Sequence, residues 1–132
     1  MERQLQKVRE MMLAMEQTVN NKPTLTKRVE DYELRYRLGR EELDEYLLAC
    51  AEEDLIGIAD SLGDQLVVLL GTIHAHGLSH LIIPVFDEIM RANMSKLDEN
   101  GKPIKREDGK FIKGPNYVAP NLYPILNASN LS

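Results

Sequence analysis

Two groups of carboxylates are the residues of this chain best suited to chemistry. Glu41, Glu42 and Glu45 lie in a strongly helical stretch, and Asp60 and Asp64 lie at the start of an apolar one. Residues three or four apart share a helix face, so each group presents its carboxylates together. Hard oxygen ligands of this kind favour Mg²⁺, with Mn²⁺ or Ca²⁺ as alternatives, over zinc.

The setting of Asp60 and Asp64 favours a metal site over a solvated acidic face. The helix that carries them is apolar on nearly every side, which predicts that it is buried. Buried carboxylates need a partner, yet no Lys or Arg lies between Arg40 and Arg91. Because the local sequence offers no cationic side chain, a bound metal cation is the simplest partner for these carboxylates. For the segment 41–45 taken alone, a solvated helix face is the ordinary interpretation.

Composition excludes several classes of protein. The chain has 132 residues and a net charge of −5, so we expect one domain without a general nucleic-acid-binding surface. Its single cysteine, Cys50, cannot form an internal disulfide, and the first residues lack the apolar run of a signal peptide. The longest apolar run, 66–71, is shorter than the ~20 residues of a membrane span. We therefore expect a cytoplasmic protein that binds neither a nucleic acid polymer nor a membrane.

Four helices are expected to position the carboxylates. Apolar residues recur at spacings of three and four between breaker residues, and these patterns predict helices over residues 3–19, 26–51, 54–75 and 79–96. The third of them is apolar nearly all round and needs more cover than one small chain supplies. The predicted fold is all-α, with a four-helix bundle-like core that oligomerisation completes.

The remainder of the single domain, 1–132, differs from this helical core of about 3–96. Turn signals and prolines from about residue 97 onward predict a short β-ribbon around Asp108 and Gly109, followed by an extended tail to 132. Five cations gather in this ribbon: Lys102, Lys105, Arg106, Lys110 and Lys113. A flap that faces phosphates and an ordinary solvated hairpin explain them equally well.

Several motifs together resemble the all-α nucleoside triphosphate pyrophosphohydrolases, which include the MazG-like and phosphoribosyl-ATP-pyrophosphohydrolase-like proteins. The resemblance covers about residues 34–122. It rests on the following segments: Glu41-Glu42-x-x-Glu45, Ile58-Ala59-Asp60-x-Leu62-Gly63-Asp64, Gly71-Thr72, Asn93-Met94-Ser95-Lys96, Asp98-Glu99-Asn100-Gly101-Lys102 and Lys113-Gly114-Pro115. The carboxylate motif alone is moderately specific, and the later elements strengthen it.

This resemblance implies Mg²⁺-dependent cleavage of a nucleoside triphosphate to monophosphate and pyrophosphate by a homodimer or homotetramer. By matching positions, it implies Glu42, Glu45 and Asp60 as principal metal ligands, with Asp64 as a ligand or an acceptor beside them. Glu41 would hold another ion or activate water, and Glu41 and Glu45 are the implied catalytic residues. The residues implied to address the phosphates are Asn93, Lys96, Lys110 and Lys113.

One position departs from the family's pattern. The second motif of the family is Glu-x-x-Asp, and in the frame that ends at Asp60 its first residue is Gly57. Three explanations stay open: Asp64 has taken over metal binding, catalysis is lost while triphosphate binding is retained, or Gly57 permits close helix packing. Two alternatives to the general hydrolase therefore stay open: a non-catalytic nucleotide-binding or interaction module, and a phosphoribosyl-ATP pyrophosphohydrolase of histidine synthesis.

Overall fold

Helices make up most of the protein, as the all-α prediction requires. The structure, a computed structural model, describes residues 1–130 and contains no β-strand within them. The chain divides into two compact units, Met1–Ser79 and a second that begins at His80. The first unit holds α1 to α3 and the second holds α4 and α5, with these bounds: α1 Glu2–Ala14, α2 Val29–Ala51, α3 Leu55–Ala75, α4 Ile82–Met94 and α5 Tyr123–Asn130.

The helices of the first unit share one kind of ending. At the end of α1, Glu16 adopts a φ of 58°, and the N–H of Gln17 donates to the carbonyl of Met12 over 2.8 Å. This left-handed residue closes the helix earlier than the sequence predicts. The same left-handed conformation follows α2 at Glu53, with a φ of 53°, and α3 at Gly77, with a φ of 68°.

α3 is the central helix of the first unit and packs against both α1 and α2. The connection between α1 and α2 crosses the end of α3. There Asn20 donates its N–H to the carbonyl of His74 over 3.0 Å, and Thr24 donates to His76 over 2.8 Å. The buried ring of His74 also donates from Nε2 to the carbonyl of Leu5 over 2.7 Å. These bonds fix α1 and the connection to the helix that carries Asp60 and Asp64.

The prediction that α3 is buried on nearly every side is wrong for the single chain. Leu55 and Ile56 are 77% and 84% exposed, because α1 and α2 do not cover the whole circumference of α3. Asp60 is exposed and Asp64 is half-buried. Within the described part of the chain, α3 alone has the length and composition to cross a membrane, a criterion that core helices of water-soluble proteins also meet.

The predicted β-ribbon of the second unit is also wrong. The turn forms, since Gly109 has a φ of 87° and the N–H of Lys110 donates to Asp108 Oδ1 over 3.0 Å. Pairing beyond it amounts to one antiparallel bridge, between Lys105 and Phe111. One backbone hydrogen bond flanks the bridge on each side, and no further pairing follows in the described residues.

The predicted extended tail is helical in part. α5 occupies residues 123–130, and Pro124 lies in its first turn, where a missing N–H costs no helical hydrogen bond. Ahead of α5, the backbone is held to α4 by Glu88 and Arg91. Arg91 donates to Glu88 over 2.7 Å and to the carbonyl of Ala119 over 3.1 Å, and Asn121 donates its N–H to Glu88 over 3.0 Å. Arg91, followed by the Asn121 N–H, lowers the pKa of Glu88 to about 2.

Candidate metal centre

α2 and α3 bring together three of the predicted carboxylates. Glu42 and Glu45 of α2 and Asp64 of α3 each offer one oxygen, and these oxygens lie within 4.8 Å of one another. Glu42 and Asp64 are half-buried, whereas Glu45 is exposed, so the group opens toward solvent on one side. Three hard oxygen donors with an open side suit a cation that keeps some of its water.

Glu42 is the carboxylate of this group whose charged form is destabilised by its surroundings. Burial of the carboxyl, reinforced by a hydrogen bond to Glu45 and by the charges of Glu45, Asp64 and Asp60, raises the pKa of Glu42 to about 7. Its Oε2 atom is buried and has no hydrogen-bond partner among the described residues. A buried acceptor left unsatisfied beside like charges is what a bound cation would stabilise, so the residues fit a divalent metal.

Asp60 and Glu41 lie outside the three-oxygen group. Asp60 is exposed, although its negative charge is close enough to raise the pKa of Glu42. Glu41 is also exposed. Of the two aspartates on α3, the structure therefore brings Asp64, and not the motif residue Asp60, into the group with Glu42 and Glu45.

The start of α3 gives Gly57 a structural role. Asp54 caps the helix by accepting the N–H of Gly57 over 3.0 Å. A Cβ at position 57 would lie 2.6 Å from Asp54 Oδ2 and 3.1 Å from the Cβ of Ala49 near the end of α2. Glycine thus lets α3 begin against α2 with its cap intact. This contact supports the close-packing explanation of Gly57, and the position of Asp64 supports its takeover of the ligand role.

The residues expected to address phosphates lie in the second unit. Asn93 and Lys96 line a largely apolar cavity of about 440 Å³ together with Phe111. Lys110 is exposed beside the turn, and the Nζ of Lys113 lies 4.9 Å from the centre of the Tyr117 ring. These side chains are accessible, and their contact with a nucleotide stays a prediction.

Arg35, a cation of α2 that contacts α3, is absent from the residues that the sequence patterns pointed to. Its Nε donates to Thr72 Oγ1 over 3.0 Å and its Nη2 donates to the carbonyl of Val68 over 2.9 Å. A Cβ at Gly71 would lie 2.5 Å from Nη2, so the glycine makes room for the guanidinium. Burial lowers the pKa of Arg35, and no carboxylate in the described part of the chain forms an ion pair with it. In the sequence, the consecutive Gly71 and Thr72 were the one indication of this contact, because the first leaves room and the second offers a hydroxyl.

The raised pKa of Glu42 predicts how the metal-free protein responds to pH. Between its unfolded value near 4.5 and its folded value of about 7, the native carboxyl keeps a proton that unfolding releases. The free energy of unfolding should therefore fall as pH rises through this window and level off above it. Melting temperatures without metal at about pH 5 and about pH 8 measure this, and Glu42→Gln should lose the Glu42 component. An equal change in melting temperature between the two pH values in the wild type and in Glu42→Gln would contradict this prediction.

Comparison with known protein families identifies the group to which this arrangement belongs. The profile described as phosphoribosyl-ATP pyrophosphohydrolase matches residues 8–93, which include α2, α3 and all five predicted carboxylates. Among curated proteins, no significant match to the chain is found. The match supports a pyrophosphohydrolase activity in general. The chain therefore belongs to the phosphoribosyl-ATP pyrophosphohydrolase family, one of the MazG-like all-α nucleoside triphosphate pyrophosphohydrolases.

Proposed function

We propose that this protein hydrolyses a nucleoside triphosphate to nucleoside monophosphate and pyrophosphate with Mg²⁺ as its cofactor. The observation that carries the proposal is the group of three carboxylate oxygens from Glu42, Glu45 and Asp64. The family match supports the reaction class, and the unsatisfied Oε2 of Glu42 supports a divalent ion. Mn²⁺ would suit the same hard ligands.

Each carboxylate has a proposed role in the reaction. Glu42, Glu45 and Asp64 hold the ion, and Asp60 extends the negative surface beside them. When bound, Mg²⁺ supplies the positive charge that offsets the phosphates and the leaving pyrophosphate. Glu41 and Glu45, which are exposed, can accept a proton from the attacking water or, for Glu41, hold a further ion.

The proposed phosphate contacts come from the second unit. Lys96, Lys110 and Lys113 would donate charge-assisted hydrogen bonds to phosphate oxygens, and Asn93 would donate from its amide. An acidic protein needs such local cations, because its net charge of −5 repels a triphosphate. Their accessibility supports this assignment.

The deciding experiment is a panel of ribo- and deoxyribonucleoside triphosphates, with phosphoribosyl-ATP included, incubated with Mg²⁺. Equal amounts of monophosphate and pyrophosphate from at least one nucleoside triphosphate support the proposal. Turnover of phosphoribosyl-ATP alone would select the second candidate, which the family description favours. Measurable binding without product from any compound would leave the non-catalytic nucleotide-binding module.

Metal addition should stabilise the protein. Mg²⁺ at millimolar concentration relieves the repulsion among Glu42, Glu45 and Asp64, so the melting temperature should rise with Mg²⁺ and fall with EDTA. Glu45→Gln removes one ligand and should abolish the response. The exposed Asp44, whose ion pair with Arg40 spans 3.8 Å, offers the control Asp44→Asn, which should keep it. Identical melting curves with and without metal would favour a solvated acidic face.

The proposed active form is a homodimer or homotetramer in the cytoplasm. Exposed apolar side chains on α3, among them Leu55 and Ile56, would gain about 25 cal/mol for each Å² that a partner subunit buries. A lipid surface is a poorer partner, because α3 also carries Asp60 and Asp64. Light scattering at tens of micromolar should report at least a dimer. A fully active monomer at that concentration would contradict this proposal.

A further inference from the structure

We propose that the cavity between the end of α4 and the turn around Gly109 binds the nucleobase of the substrate, and that it contacts the faces of the ring rather than its edges. Six of the eight residues that line it are apolar, and the other two are Asn93 and Lys96. The inference rests on the proposed function, because these two residues are proposed to meet the phosphates. It goes further by assigning a site to the base and by predicting that nucleotides of every base are accepted.

The cavity lies within the second unit, where backbone contacts hold its walls in place. Ile112 donates its N–H to the carbonyl of Ile104 over 2.8 Å, and both residues line the cavity. Gly114 lets the chain after Ile112 approach the end of α4, since a Cβ there would lie 2.6 Å from the carbonyl oxygen of Lys96. The volume of about 440 Å³ is within the usual range of small-molecule pockets. The cavity is therefore formed by the fold and is large enough for a base.

Phe111 gives the cavity an aromatic wall. The Nζ of Lys105, which does not line the cavity, lies 5.1 Å from the centre of the Phe111 ring. This cation covers one face of the ring, so a ligand ring would stack on the other face. Met94, an adaptable apolar side chain, is another wall. Because every nucleobase has a π face, stacking on an aromatic side chain tolerates all of the bases.

Lys96 and Asn93 give the cavity polar groups that suit a phosphate next to the base. Lys96 is half-buried, and its ammonium group forms no ion pair with the described residues. Its stem can lie along the apolar wall while Nζ stays at the water. The amide of the exposed Asn93 can donate to a phosphate or sugar oxygen. No Asp or Glu of the described chain lines the cavity, so a flat apolar ring joined to an anionic group complements it. A nucleotide is such a molecule.

The first test measures KM for ATP, GTP, CTP and UTP in the wild type and in Phe111→Ala. The four wild-type values should lie within roughly tenfold of one another, and Phe111→Ala should raise each of them roughly tenfold with kcat little changed. Phe111→Tyr keeps the ring and should keep the wild-type KM. A wider spread in the wild type, an unchanged KM in Phe111→Ala or a rise confined to one base would overturn the inference.

Phe86→Ala is the matched control for the first test. Phe86 is the other phenylalanine of the chain, is 57% exposed against 51% for Phe111, and does not line the cavity. It should keep the wild-type KM, and an equal rise in the two variants would overturn the inference. Met94→Ala tests another wall independently of Phe111. Alanine is the better helix former, so α4 should persist, and KM should again rise for every nucleotide.

Inorganic tripolyphosphate separates contacts to the base from contacts to the phosphates. Its Ki as a competitive inhibitor should be unchanged in Phe111→Ala, because it has no ring. Lys96→Met keeps the apolar stem and removes the charge, so it should raise both this Ki and the KM for nucleotides. Equal rises of Ki and KM in Phe111→Ala would overturn the inference. An unchanged KM with an altered oligomeric state in Phe111→Ala would overturn it in favour of a second copy of the chain in the cavity.

Failure of the proposed function is distinguishable from failure of this inference. If the wild type hydrolyses none of the four nucleotides, the hydrolase proposal fails, and calorimetric dissociation constants for the same nucleotides and variants carry the comparison. If hydrolysis occurs while Phe111→Ala and Met94→Ala leave KM unchanged, the assignment of the cavity alone fails.

Discussion

Replacing Asp64 by asparagine should lower kcat about a hundredfold or more. Asp64 is the only aspartate of α3 in the group with Glu42 and Glu45, and asparagine keeps its shape while removing the charge that we propose holds the ion. The size of the effect follows the usual cost of losing one preorganised electrostatic contact in an active site. Steady-state release of pyrophosphate at saturating nucleotide and Mg²⁺ measures it.

Gly57→Glu tests whether position 57, and not Asp64, is where the family's metal ligand is missing. It restores the Glu-x-x-Asp pattern with Asp60, so a missing ligand at position 57 would predict faster turnover. We expect no gain and a loss of about 1 kcal/mol in stability, because the new Cβ displaces the Asp54 cap and crowds Ala49. Faster turnover in Gly57→Glu, together with normal kcat in Asp64→Asn, would contradict the assignment of Asp64.

Local patterns predicted the ends of the two helices that carry the site to within three residues. The third helix was predicted over 54–75 and is Leu55–Ala75, and the second was predicted over 26–51 and is Val29–Ala51. Apolar periodicity and end signals are properties of neighbouring residues, so one sequence contains them. The shared face of Glu42 and Glu45 followed directly from the helical period.

Features that depend on contacts between distant segments could not be predicted. Arg35 of α2 donates hydrogen bonds to Val68 and Thr72 of α3, and no residue near Arg35 in the sequence indicates that contact. The choice of Asp64 over Asp60 depends on the rotation of α3 against α2, which neither helix determines alone. The length of the ribbon was predicted wrongly. The turn around Gly109 is a strong local signal, but how far the two segments pair beyond the turn depends on contacts that the local sequence does not contain.

Gly77→Ala should lower the free energy of unfolding by about 3 kcal/mol, more than its backbone conformation alone explains. Glu16 and Glu53 carry side chains at a similar positive φ, so this conformation does not by itself require glycine. At Gly77, however, a Cβ would collide with the carbonyl oxygen of Lys22, in the connection that crosses the end of α3. Backbone cannot move aside as a flexible side chain can, so the collision adds to a left-handed cost of about 1 kcal/mol.

Gly101→Ala provides the matched control for this prediction. Gly101 has a φ of 71°, close to the 68° of Gly77, and a Cβ there would meet nothing within 4 Å. It should therefore lose only the conformational cost of about 1 kcal/mol. Urea unfolding of both variants and the wild type, followed by circular dichroism, measures the difference. Equal losses in the two variants would mean that the approach of Lys22 to α3 does not hold this connection in place, and the collision argument would fail.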